Sequence, residues 1–172
     1  MKKIGLVILL GGILLLGAMN GLVGVKNQLA DISKQDYKIN LKKAIQLYQK
    51  ETKIDSCTAI SFDTLEEANT SYKPKYTYIF ENGETLVHIN PDTGKITKRK
   101  QKLVKMSQQK RKIKLAELTH MPMPNEAMKQ ALDRLQGHNN QVVAWRLQKE
   151  HLVPSYTVTI KQNHAQKRVL VE

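Results

Sequence analysis

Three hydrophobic patterns follow one another along the chain. Ile4 to Val25 is a run of 22 residues with no charge and with Asn20 as its one polar side chain, bracketed by Lys2, Lys3 and Lys26. As a helix it measures about 33 Å at about 1.5 Å per residue, enough to cross the hydrocarbon core of a bilayer. From Asn40 the pattern becomes helical: Leu41, Ala44, Ile45 and Tyr48 recur at i, i+3, i+4 and i+7 behind a residue suited to the N-cap. It then turns to period two, with Thr58, Ile60 and Phe62 alternating with Cys57, Ala59 and Ser61 as on a half-buried strand.

The helical and alternating patterns occur twice in the same order, which predicts an internal repeat of roughly 60 residues. In the second copy Pro124 suits a first helical turn, Met128, Ala131, Leu132 and Leu135 form the stripe, and Gly137 suits the stop. Val143, Trp145 and Leu147 then alternate as the first strand. The clearest match between copies is Tyr76-Thr77-Tyr78-Ile79-Phe80 with Tyr156-Thr157-Val158-Thr159-Ile160.

Asn82-Gly83 between alternating runs predicts a type I′ hairpin, with Phe80 facing Thr85, Tyr78 facing Val87 and Tyr76 facing Ile89. Phe80, Tyr78, Val87, Tyr76 and Ile89 would share the helix-packed face, leaving Thr77 and His88 on the other. Pro91-Asp92-Thr93-Gly94 predicts a further turn into a strand around Lys95 to Lys98, and Arg168 to Val171 predicts the last strand.

The N-terminal run also fits a secretory signal peptide, but the small-residue rule for cleavage is poorly met. Leu16 occupies the third position back from a cut after Ala18, and Leu22 from a cut after Gly24. Residues 1–30 therefore read as an uncleaved signal anchor and transmembrane helix. The flanking lysines are nearly balanced; because long C-terminal domains translocate largely regardless of charge, the N-terminus is expected inside and the rest outside.

Charge adds a partner class. The chain has 28 Lys and Arg against 15 Asp and Glu, a net charge of +13 over 172 residues. Ten of the basic residues fall between Lys95 and Lys114, a stretch without acids. The anion-binding candidates are Lys98, Arg99, Lys100, Lys102, Lys110, Arg111, Lys112 and Lys114. Outside a cell they fit anionic lipid headgroups or phosphate-rich wall polymers; inside, nucleic acid, although no aromatics are interleaved to stack on bases. A solvated linker over residues 101–114 is the plainer reading of the same density.

Residues for covalent or metal chemistry are not assembled by the sequence. Cys57 is the one cysteine, so no internal disulfide or structural zinc site is available, and it reads as a packed thiol. His88, His120, His138, His151 and His164 lack metal-ligand spacing and read as surface histidines. Glu66 and Glu67 have no second carboxylate placed against them, and Trp145 reads as a core anchor. No phosphate-loop, dinucleotide or nucleophile-elbow string occurs. The expectation is a protein with no catalytic residues, no metal and no cofactor.

Two blocks of helix followed by Tyr-rich strands, with YTYIFENGETLVHINPDTGKI in the first and Lys43-Ala44-Ile45 and Glu126-Ala127-Met128 in the helices, resemble the PepSY domain. Asn90-Pro91-Asp92 departs from the family's plainer strand into Asp, and the second copy ends without the matching turn. The resemblance implies an α+β fold of two tandem small domains, over 38–100 and 115–172. Each would be a helix on a three- to four-stranded antiparallel sheet, behind one transmembrane helix. It implies noncovalent binding or regulation in the envelope of a bacterium of the Gram-positive kind, with a peptidase as the candidate partner. The other readings are a structural scaffold of a membrane or wall complex, and a basic polyanion or nucleic-acid binder.

Overall fold

The computed structural model describes residues 29–64, 75–101, 111–136, 138–150, 152–163 and 165–172, the side chain of Glu150 excepted. Residues 4–25, residues 102–110 of the basic stretch, Glu66, Glu67, Gly137, His151 and His164 lie outside them. Among the described residues no helix is long and apolar enough to cross a membrane.

Helix α1 runs Leu41–Thr52 and starts where the sequence places it: the Asn40 side chain accepts from the Lys43 N–H at 2.9 Å. Leu41, Ala44 and Tyr48 are buried, and Ile45 packs against them half-buried. Helix α2, Pro124–Asp133, opens on proline, and Glu126 reaches back to accept from the Met123 N–H at 3.0 Å. Its inner face is smaller, with Ala127, Met128 and Ala131 buried.

The strands are β1 (Ser56–Cys57), β2 (Ala59–Thr64), β3 (Tyr76–Asn82), β4 (Thr85–Ile89), β5 (Ile96–Lys100), β6 (Ile113–Lys114), β7 (Gln141–Glu150), β8 (Val153–Gln162) and β9 (Ala165–Val171). Seven of them form one antiparallel sheet in the order β5-β4-β3-β2-β7-β8-β9. The first strand of each copy, β2 and β7, pair with one another, Ile60 opposite Leu147 and Phe62 opposite Trp145. The halves expected as two small domains therefore share a continuous sheet and a common core. The pairing also runs through the stretch read as linker: β6 pairs with β1, Ile113 opposite Cys57, and both are fully buried.

Both helices lie on the face that carries Ile60, Phe80, Leu147, Tyr156 and Val171, which share a cross-strand row. Tyr48 of α1 stacks on Phe80, ring centroids 4.5 Å apart. Tyr78 Oη donates to the Ile39 carbonyl at 2.9 Å and Tyr156 Oη to the Pro122 carbonyl at 3.1 Å, each two residues before its helix begins. That equivalence relates the halves by an approximate two-fold between β2 and β7. It matches Tyr156 to Tyr78, not to Tyr76 as the shared Tyr-Thr string suggests.

Two registers differ from the sequence reading. Asn82 pairs with Thr85 and Phe80 with Val87, so the hairpin loop is Gly83-Glu84. Gly83 has φ +59° and Glu84 does not share the positive sign, the pattern of a type II′ turn with glycine first. Because the shift is even, Tyr78, Phe80, Val87 and Ile89 keep the expected face. In β7 the register slips between Val142 and Ala144, a β-bulge that places Val142 on the helix face where alternation from Trp145 predicts Val143.

The chain before α1 is part of the fold, although the sequence reading begins the domain at residue 38. Ile32, in the 3₁₀ turn Ile32–Lys34, is buried in the core. The Ala30 carbonyl accepts from Tyr76 Oη at 3.0 Å, and Asp31 Oδ1 from the Val142 N–H at 3.1 Å. This segment begins four residues after an apolar run, and its own pattern is short.

Candidate functional site

The helix-bearing face has a cleft where the two halves meet. Phe62, Tyr78 and Trp145 line it from β2, β3 and β7, Asn40 and Leu41 from the start of α1, and Met123, Pro124, Asn125 and Met128 from the start of α2. Ile32, Gln35, Asp36 and Tyr37 of the N-terminal segment complete it, around about 330 Å³ of space. A volume of that order accepts one or two side chains of a partner.

Packing explains why these rings hold their place. Phe62 lies 4.7 Å from Tyr78, 4.9 Å from Tyr37 in an edge-on contact, and 6.0 Å from Trp145 in a stacked one. Burial pushes the Tyr78 hydroxyl well above the ordinary tyrosine range, with the Tyr37 hydroxyl adding to the rise. Tyr37 is raised in turn by burial, then by Tyr76 and Asp92. The cleft thus presents neutral aromatic surface with amide and carboxylate groups among its lining residues, a chemistry suited to an apolar segment with a polar backbone.

The other sheet face is knit by charge. Arg146 Nη1 and Nη2 donate to Glu81 Oε1 and Oε2 at 2.5 and 3.0 Å, and Arg146 Nε donates to Gln148 Oε1 at 2.9 Å. Glu81 is on β3 and Arg146 on β7, so the pair reaches across the intervening β2, where Ala59 and Ser61 are buried on that same face. His88 also lies on this face, as the alternation predicts, yet it is buried rather than exposed, its row neighbours being Ile79 and Thr97. His120 and His138 are exposed.

The anion-binding candidates are divided by the fold. Lys98, Arg99 and Lys100 are exposed on the edge strand β5, with Lys98 Nζ 2.8 Å from Glu51 Oε1 of α1. Arg111, Lys112 and Lys114 are exposed in and before β6, while Lys102 and Lys110 lie outside the described residues. Gln101 N–H bonds to the Glu84 carbonyl and the Leu115 N–H to the Asp55 carbonyl, both at 2.8 Å, so both groups sit at the end of the sheet marked by the Gly83 turn. Cys57 is buried, and burial followed by the nearby Glu81 carboxylate pushes its thiol up to about 12, which makes it a poor nucleophile.

The sequence reading finds Trp145, Phe62 and Tyr78 as core residues but not the cleft. Its lining comes from five separate stretches, and the signal that joins them is the pairing of β2 with β7. No family model matches the chain, and no curated protein is significantly similar to it. A solved crystal structure from Clostridium difficile 630, of a protein described as a "putative lipoprotein", shares the fold at a TM-score of 0.59 and 21% identity. The match covers 83% of this chain and 91% of that one.

Proposed function

We propose that this chain is a membrane-tethered binding protein of a bacterial envelope, made of two PepSY-like halves, that takes an apolar segment of a partner protein into the cleft between its helices. The partner class is a peptidase, whose rate it changes through contact and without chemistry of its own. The observation that carries this reading is the aromatic cleft at the junction of the halves, lined from both of them. The buried, raised Cys57 thiol is consistent with noncovalent action.

The test is a rate measurement on envelope membranes of the host, with the full chain present, deleted, or carrying Met128→Phe to fill the cleft. Hydrolysis of a fluorogenic protein substrate should change between presence and deletion, and the filled cleft should behave as the deletion. Equal rates in all three would end the peptidase reading. A scaffold role is favoured by one separate feature: Leu152 and Val153, 76% and 61% exposed at the β7–β8 turn, form an apolar tip of the kind that contacts another protein. Crosslinking from that tip to a membrane complex, with proteolysis unaffected, is the outcome that reading predicts.

A further inference from the structure

The chain carries a net charge of +13, yet no Lys, Arg or His is among the described residues that line the cleft. Its one charged lining residue is Asp36, in company with the rings of Tyr37, Phe62, Tyr78 and Trp145. Asp36 is exposed, in the segment between the 3₁₀ turn Ile32–Lys34 and α1. Among the described residues it makes neither an ion pair nor a hydrogen bond.

Charges around the cleft do not neutralise it. Lys34 Nζ lies 3.2 Å from Asp31 Oδ2, and Lys38, Lys42 and Lys43 are exposed without lining the cleft. Asp92 adds negative potential at the same wall, contributing after burial and Tyr76 to the rise of the Tyr37 hydroxyl. Glu126 accepts from the Met123 N–H at 3.0 Å at the start of α2, and after burial it raises Tyr156, whose ring lies 5.7 Å from Trp145. Long-range repulsion from the net positive charge is screened beyond roughly 8 Å at physiological ionic strength, so these near groups decide what enters.

A partner segment that fills the cleft takes Asp36 out of water. An all-apolar occupant would leave that carboxylate unpaired in a medium of low polarity, a cost that rises steeply with burial. A cation removes the cost and gains from the neighbouring rings. Arginine and lysine meet both demands, since their aliphatic stems pack on apolar surface such as Met128 while the head stays at a charged rim.

We infer that the cleft receives a basic side chain, arginine or lysine, of an otherwise apolar partner segment, selected by Asp36 and the aromatic rings. The inference rests on the reading of the cleft as the partner-binding site.

The experiment titrates the full chain, in nanodiscs of uncharged-surface phosphatidylcholine, with acetyl-Leu-Arg-Leu-amide and with the same peptide carrying citrulline, the neutral isostere of arginine. Trp145 emission is followed. The arginine peptide should bind at least about tenfold more tightly than the citrulline peptide. In Asp36→Asn that ratio should fall to about twofold, with the unfolding midpoint and the emission of the free chain unchanged. Equal affinity for the two peptides, or a ratio that Asp36→Asn leaves in place, overturns the inference and leaves the cleft as a site for uncharged segments. No response to either peptide, or a response that persists in Met128→Phe, overturns it through the cleft reading itself, a distinct failure.

Discussion

The two halves share a plan and differ in what fills it. In the first, α1 sets Tyr48 on Phe80, and Phe62, Tyr76 and Tyr78 continue the aromatic layer. In the second, α2 offers Ala131 at the position equivalent to Tyr48, over the aliphatic Val158, Ile160 and Val171. What is common is the tyrosine hydroxyl bonded to the chain just before each helix, Tyr78 to Ile39 and Tyr156 to Pro122. The comparison teaches that helix position is set by a short polar contact at its start, while the packing beneath is free to be aromatic or aliphatic. The cleft forms where the two helix starts approach, so it inherits aromatic rings mainly from one half and flexible methionines, Met123 and Met128, from the other.

The largest test of that contrast is truncation of the equivalent core residues. Phe80→Ala should cost about 3–5 kcal/mol and Val158→Ala about 1.5–3 kcal/mol, read from denaturant unfolding. Both should shift a single transition, because β2 and β7 join the halves into one ladder. Separate transitions for the halves would break the description of one shared core.

Next in size is the ionic staple between the halves. Glu81→Gln leaves Arg146 half-paired over Ala59 and Ser61 and should cost about 1–3 kcal/mol, measured in the same way. A change within error would mean that the ladder alone holds the halves together. Smaller again are the hydroxyls: Tyr78→Phe and Tyr156→Phe should each cost about 1 kcal/mol, and nearly the same amount. Markedly unequal losses would remove the equivalence on which the two-fold rests.

The smallest effect belongs to Asp31. Burial raises its carboxyl, but hydrogen bonds from Ser33, Lys34 and the Val142 N–H outweigh that and hold it below the ordinary carboxylate value. A lowered folded value means that the contribution is complete above the unfolded value of about 4 and disappears as pH falls through the folded one. Wild type should therefore lose more stability than Asp31→Asn on acidification below about pH 4. Parallel pH curves would show that the carboxylate does not hold the N-terminal segment in place.

Much of the fold is legible from local pattern, and the misses have physical causes. The Asn40 cap, Pro124, the α1 stripe and the two-sided alternation of β3 and β4 depend on neighbours in sequence, and each lies where that reasoning places it. The Gly83 turn is displaced by one residue because glycine supplies the positive φ wherever the loop starts, so Asn-Gly alone does not choose between the two turn types. Ile32 and Asp31 escape because their partners, Val142 and the core, are distant in sequence. His88 is placed on the correct face but misread as exposed, since alternation assigns a face and not how far that face is covered. The cleft is the least legible feature because it is a product of the β2·β7 pairing and of chain segments far apart.

Trp145 is the one tryptophan of the chain and lines the cleft, so its emission reports directly on occupancy. The decisive measurement is a titration of the full chain with overlapping apolar peptides from envelope peptidases of the host, following that emission. The account predicts a saturable change with at least one peptide, lost in Met128→Phe. Peptides that alter peptidase inhibition while leaving Trp145 unchanged, or no response to any of them, would contradict the cleft as the binding site.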